Sequence, residues 1–275
     1  MKIKNVLKIV VSLVSAAVIL GALAGCGASS GGGDKTIKVG ASPSPHAEIL
    51  AQVKSDLSAQ GYTLEIVEYS DYIQPNVALN DGELDANYFQ TASYLEEYNA
   101  ENKTDLVVAS NVHFEPMRLY AGKTASVADL KDGAQIAVPS DTNNEARALL
   151  LLQDQGIIKL KSGVGLKAAA NDIIENPKNV KIVEAEAAAL PRTLEDVDLA
   201  VINGNYALSA GLDSKLAIAG ESETSEVANI YPNVIAVRAA DADSEKTKAL
   251  VAAVQSATVK DYITKTFGDA VVALF

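Results

Sequence analysis

From Ile37 onward, short runs rich in Val and Ile alternate with stretches of helical period. This alternation restricts the chain to few architectures. Strands are expected over Ile37–Ala41, Leu64–Tyr69, Leu106–Ser110, Gln135–Val138, Val180–Glu184, Leu199–Asn203 and Val234–Arg238. Helices are expected over His46–Gln60, Ala92–Asn102, Asn144–Gln155, Tyr206–Ala210 and Ser244–Ser256. β-branched strands separated by helices predict parallel sheets covered on both faces, and therefore an α/β protein. Two segments read as openings of two such units. Lys38–Pro43 leads into a helix near His46, and Ile136–Ser140 leads into one near Asn144. Each open sheet would carry ligand-facing loops at the carboxyl ends of its strands. If those edges face each other, the crevice between them is the site.

The chain before Ile37 has another character. Lys2, Lys4 and Lys8 precede an uncharged, mostly apolar run, Ile9–Leu23, and Leu23-Ala24-Gly25-Cys26 closes it with small residues before a thiol. Positive, apolar, then small is the order of a bacterial signal peptide. The apolar run falls short of the roughly 20 residues of a transmembrane helix. Cys26 at its end marks the lipoprotein version: residues 1–25 would be removed and Cys26 acylated. An ordinary secretory signal with an incidental cysteine is the alternative. Gly27–Gly33 holds only Gly, Ala and Ser, so residues 26–35 read as a flexible tether. The expected location is the extracytoplasmic face of the cell membrane, held there by lipid.

Cys26 is the only cysteine among 275 residues, so no intramolecular disulfide can form. The formal charge is −12, and the signal segment holds three lysines and no acid, so the mature chain is more acidic still. Such a body is repelled by nucleic acid and by anionic lipid, and its charge favours a monomer.

Pro139–Arg147 joins a strand to a helix, with Asp141, Thr142 and Asn143 as candidate caps. On this reading Arg147 lies in or beside the first turn. A cation is mismatched there by about 0.3–1 kcal/mol unless an anion accompanies it. Arg147 with nearby backbone N–H groups would grip a carboxylate; pairing with Glu145 or another surface acid accounts for it equally well. Asn203 and Asn205 end a buried strand at the expected binding edge, where amides can read ammonium and carboxylate. Turn chemistry at Asn203-Gly204 is the competing explanation. Tyr69, Tyr72, Tyr88, Phe89, Tyr94 and Tyr98 cluster in a chain poor in aromatics. Such rings can line a small-ligand pocket, although core packing would explain Tyr98 and Tyr88.

No catalytic or metal signature stands out. His46 and His113 are far apart in sequence, and the single cysteine is assigned to acylation, so metal-ligand spacing is missing. No Gly-x-Ser-x-Gly motif occurs. Gly163-Val164-Gly165 follows no convincing strand and reads as a loop rather than a dinucleotide site. No cofactor and no catalytic residue is expected.

Longer motifs resemble a known family. Tyr69–Asn76, Asp81–Gln90, Asn144–Gln153, Glu175–Asn179, Leu190–Arg192 and Ala200–Asn203 are similar to the methionine-binding lipoproteins of the NlpA/MetQ family, and the likeness runs from the Cys26 region to Gly268–Val272. The resemblance implies a two-lobed, type II periplasmic-binding-protein fold: two open sheets flanked by helices, with the ligand cleft between lobes. It implies a lobe of residues 36–120 plus 232–275 and a second of residues 121–231. It implies that the protein captures methionine, or a closely related amino acid or short methionine peptide, and passes it to an ABC importer permease. On the same likeness Arg147 holds the ligand carboxylate. Asn144, Asn203 and Asn233 contact the head group, and Tyr72, Phe89 and Tyr94 pack the thioether tail. Asn205 and Tyr206 are further candidates. One position departs: the family commonly has His after Phe-Gln, and here Thr91 follows Phe89-Gln90. A secreted enzyme acting on an amino-acid-like substrate, or a surface adhesion lipoprotein, are the alternative functions.

Overall fold

The computed structural model describes residues 35–222 and 230–275. The signal segment, Cys26 and most of the expected tether lie outside them. Two sheets carry the architecture. The first runs in the order β13-β4-β12-β3-β1-β2. Its strands are β1 Thr36–Ala41, β2 Thr63–Glu68, β3 Ala86–Thr91, β4 Leu106–Phe114, β12 Asn233–Arg238 and β13 Val272–Ala273. The second runs β11-β5-β10-β6-β9. Its strands are β5 Arg118–Ala121, β6 Gln135–Pro139, β9 Lys181–Ala185, β10 Leu199–Ile202 and β11 Ala217–Gly220. A small hairpin pairs β7 Lys159–Leu160 with β8 Ile173–Glu175. Among the described residues no helix is long and apolar enough to cross a membrane.

The sheets are mixed, which corrects the expectation of purely parallel pairing. β1 is parallel to β2 and β3, and β6 to β9 and β10. β12 is antiparallel to β3 and β4, and β5 to β10 and β11. The connections give the reason. The chain leaves the first sheet after Phe114 and enters the second with β5; it leaves the second after Gly220 and re-enters the first with β12. Neither arriving strand follows a right-handed helical crossover within its own sheet, so neither is bound to the parallel direction. β5, which includes Arg118–Tyr120, pairs in the second sheet.

Each sheet has its own core. Val39, Leu50, Tyr88, Ile235, Leu250 and Ile263 pack on the first; Leu119, Ile136, Val138, Leu149, Leu152 and Val201 on the second. The stretch expected as one helix over His46–Gln60 is broken into a wide turn at Pro43–Ala47 and short helices at Glu48–Ala51 and Lys54–Ala59. Ser44 is extended there, as a residue before proline prefers. The helix Ala92–Asn102 has the bounds the sequence gives it. Its N-cap is Thr91, whose Oγ1 accepts the Tyr94 N–H at 3.2 Å.

The strand ends set up the site. β3 and β4 run the same way, both antiparallel to β12, so Thr91 and the residues after β4 sit on one edge with the start of β12. Asn233 is in register with Thr91 on one side and His113 on the other. On the second sheet, parallel β6 and β10 bring the starts of the helices Thr142–Asp154 and Gly204–Ser209 to one edge.

Candidate functional site

The two carboxyl edges enclose a cavity with about 350 Å³ of empty space, its mouth included. Arg147, Asn144, Asn203, Asn233, Tyr72, Phe89, Tyr94, Thr91 and Asn205 all line it, together with Gln90, Glu115 and Gly204. Residues separated by more than a hundred positions thus line one cavity, because each lies near the end of a strand, follows it or begins one at the binding edge.

Arg147 is buried, at 4 % exposure. Its helix begins at Thr142, capped by Asp141, whose Oδ1 accepts the Asn144 N–H at 2.9 Å. The start is two residues earlier than the sequence reading, so Arg147 lies in the second turn, not the first. The helix-end mismatch is correspondingly weak. Arg147 does pair with an acid, but neither with Glu145 nor with a surface group. Glu145 Oε1 instead accepts the Ala170 N–H. The partner is Glu221, whose side chain is buried: Arg147 Nε donates to its Oε1 at 2.7 Å and Nη2 to its Oε2 at 2.5 Å. Nη2 also donates to the Glu115 carbonyl at 2.9 Å. Burial works against the guanidinium charge, but the Glu221 carboxylate outweighs it and holds Arg147 protonated above its usual range.

The amides are arranged around this cation. Asn203 Nδ2 donates to Asn144 Oδ1 at 2.8 Å, and Asn144 Nδ2 donates to the Asp141 carboxylate. Asn203 Oδ1 is buried and has no hydrogen-bond partner among the described residues. A buried amide oxygen left this way costs about 1–3 kcal/mol until a donor arrives. Gly204, next along the chain, lies against Glu115: a Cβ there would stand 2.7 Å from Oε2 and 2.8 Å from the Glu115 Cβ.

Glu115 was not singled out by sequence, and neither was the group behind it. His113 Nε2 lies 2.7 Å from Glu115 Oε1, and its Nδ1 bonds the Tyr88 hydroxyl. With a carboxylate facing Nε2, the proton of neutral His113 belongs on Nε2, and Tyr88 donates to Nδ1. His46 Nε2 lies 2.9 Å from Asn233 Oδ1 and 3.4 Å from Glu115 Oε1. The two histidines, distant in sequence, are therefore neighbours, with ring centroids 5.0 Å apart. His46, His113 and Glu115 bring three metal-ligating side chains within 4.8 Å, the set among the described residues that could hold an ion. The 2.7 Å between His113 and Glu115 is a hydrogen bond. Two ligands each about 2.0–2.1 Å from a tetrahedral zinc would stand further apart. The donor set as placed is a hydrogen-bonded support for Glu115.

Burial lowers the His46 pKa to about 4 and that of His113 to about 3. Burial raises that of Glu115, against the pull of His46 and Arg147 and an N–H bond from Asn205. A depressed imidazole stabilises the fold above its unfolded pKa of 6.5, and that stability is lost as pH falls toward about 4 for His46 and about 3 for His113. Each contributes roughly 1.4 kcal/mol per pH unit in that window. Glu115 has the opposite sign, since a raised carboxyl favours the folded state on the acid side. The histidines outnumber it, so the urea midpoint is expected to be clearly lower at pH 5 than at pH 7.5. His113→Gln should shrink that difference; equal midpoints in the wild type would contradict the burial of two neutral imidazoles.

The apolar end of the cavity is a box of rings. Tyr72 lies 5.9 Å from Phe89, 5.7 Å from Tyr94 and 4.9 Å from Tyr206, centroid to centroid. Tyr88 faces the other side of β3 and is core, as is Tyr98. Tyr72 donates to Asn205 Oδ1 at 2.6 Å, Tyr206 to the Ser70 carbonyl at 3.1 Å and Ser93 to Asn143 Oδ1 at 3.2 Å. These bonds join segments of the first sheet to segments of the second, across the mouth. Behind the rings, Asn76, Asn87 and Gln90 form a buried amide cluster that fixes the helix Gln74–Asn80 to β3.

Two sheets with facing carboxyl edges and a cavity between them define a two-lobed solute-binding fold of type II. The chain belongs to the NlpA lipoprotein family, whose model matches residues 37–275. It is 42 % identical over 262 residues to the methionine-binding lipoprotein MetQ of Bacillus subtilis, covering 92 % of this chain and 94 % of that one. It is 42 % identical over 229 residues to the D-methionine-binding lipoprotein MetQ of Escherichia coli K12, covering 82 % of each. A nutrient-binding protein from Burkholderia cenocepacia, solved bound to methionine, superposes with a TM-score of 0.83 at 47 % identity, over 87 % of this chain and all of that one.

Proposed function

We propose that this protein is the lipid-anchored solute-binding component of an ABC importer and that its ligand is methionine or a close relative. The observation that carries the reading is the pairing of opposite polarities in one cavity. A buried guanidinium at one wall supplies donors for a carboxylate. Glu115 and the unpartnered Asn203 Oδ1 supply acceptors for an ammonium. The rings of Tyr72, Phe89 and Tyr94 supply a slot for an unbranched apolar tail, where thioether sulfur adds about 0.3–1.5 kcal/mol per ring contact. The names of the relatives, and the methionine held by the Burkholderia protein, support the same ligand.

Asn144 holds Asn203 in place, and Asn233 brings a second amide to the head group. Thr91 caps its helix and leaves room beside the tail. The lobes follow the two sheets, residues 36–114 with 233–275 for the first and residues 118–220 for the second, and close on the ligand by hinge motion. Cys26 carries the acyl anchor at the extracytoplasmic face, residues 26–35 tether the body, and the permease receives the ligand from a monomeric protein. The cavity binds without turnover.

Calorimetry on soluble protein stripped of carried-over ligand tests the proposal. L-methionine is expected to bind with a 1:1 stoichiometry, and glutamate, whose tail would bury a charge among the rings, is expected to give no heat. Absence of heat with L-methionine, D-methionine and methionine dipeptides would sink it.

A further inference from the structure

Glu221 lies outside the ring of cavity-lining residues, yet it makes the shortest contacts to Arg147. A guanidinium offers five N–H groups in a rigid planar fork. Glu221 takes the edge formed by Nε and Nη2, and the Glu115 carbonyl takes the other N–H of Nη2. Nη1 has no hydrogen-bond partner among the described residues, and Arg147 lines the cavity. The plane of the fork is set separately. The Tyr231 ring lies 4.3 Å from the guanidinium carbon, and the Phe114 ring 5.7 Å. Rings fix the tilt, and the carboxylate fixes rotation within the plane.

The position of Glu221 in the chain matters as well. It follows β11, at the start of the return from the second sheet to the first. Its Oε2 accepts the Met117 N–H at 2.7 Å, and Met117 sits in the outward crossing between β4 and β5. One carboxylate therefore ties Arg147 to both places where the chain passes between sheets.

We propose that Glu221 is a positioning residue for ligand recognition: it locks the Arg147 fork so that Nη1 alone is turned to the carboxylate of an α-amino acid. The inference rests on the carboxylate-binding role of Arg147 proposed above. It predicts an effect confined to ligands that carry the carboxylate, which a general structural role would not produce.

The test compares methionine with methioninol, the same molecule with its carboxylate reduced to an alcohol, by calorimetry on the soluble protein. Glu221→Gln keeps the shape and removes the charge, and its amide NH2 opposes an Arg147 N–H. It is expected to weaken methionine at least tenfold and to leave methioninol within twofold, so that the preference for the carboxylate collapses. Glu221→Asp keeps the charge but withdraws it by a methylene, and should fall between wild type and Glu221→Gln. It also serves as the test variant if the glutamine form does not fold. Equal losses for both ligands, or methionine affinity unchanged or raised, would overturn the proposal. Normal methionine affinity in Arg147→Ala would instead remove the carboxylate role of Arg147, an outcome distinct from failure at Glu221.

Discussion

Arg147→Ala is expected to weaken methionine binding by a factor between about 30 and several thousand. That is the range for truncating one member of a buried, hydrogen-bonded charge pair, about 2–5 kcal/mol. Two losses combine in it. The ligand carboxylate loses its cationic partner in a cavity where water cannot fully replace it. Glu221 is also left buried and unpaired, which by itself costs about 3–5 kcal/mol of stability. The two can be separated. In the double variant Arg147→Leu with Glu221→Leu the buried pair is replaced by apolar side chains, a change that is often neutral for folding. Stability should largely return and methionine binding should not. Arg147→Lys keeps a charge but lacks the planar fork that reaches Glu221 and the ligand together. It should bind weakly. A folded Arg147→Ala protein with near-normal affinity, measured by calorimetry, would place the ligand carboxylate elsewhere.

The second large effect belongs to Glu115. Glu115→Gln is expected to cost about 1.5–3 kcal/mol of methionine affinity, roughly 10- to 150-fold, the value of a hydrogen bond to a charged group. The glutamine oxygen can still accept from His113 Nε2, so the fold should persist. The signature is selectivity. The desamino analogue of methionine, which has no ammonium, should bind the variant and the wild type alike. Because burial raises the Glu115 pKa, the wild-type protein should also lose affinity for methionine at a higher pH than an ordinary carboxylate would give. Binding needs the ionised form, so affinity falls as pH drops through the raised value. Equal losses for methionine and its desamino analogue would show that Glu115 supports the cavity wall rather than the ammonium.

Much of the site was legible because strand-to-helix junctions leave a local trace. Asp141 before a run of leucines marks a helix start, and Asn203 after a buried strand marks its edge; both traces lie within a few residues. The tertiary partners left none. Glu221 meets Arg147 across 74 positions and His46 meets Asn233 across 187. No spacing rule connects such pairs, so two lone histidines read as unrelated. Glu115 carries no local mark that sets it apart from the chain's many other acids, although the Gly204 contact shows how closely it is packed. β3 escaped notice for a different reason. Its Asn87 and Gln90 are poor strand formers by composition, and they sit in a fully buried strand because Asn76, the Pro75 carbonyl and each other satisfy their amides. The parallel sheets were half right: hydrophobic runs specify burial on both faces, whereas the direction of β5 and β12 depends on where the chain crosses between sheets.

The bonds from Tyr72 to Asn205, Tyr206 to Ser70 and Ser93 to Asn143 are made by the protein with itself. Each is worth about 0.5–1.5 kcal/mol, and the guest supplies none of it. On the proposed function, a captured molecule is expected to depart only after the walls have let go of one another. Its residence time would then be set by how often those walls part, and the pace of unloading would pass to whatever outside partner can pull them apart.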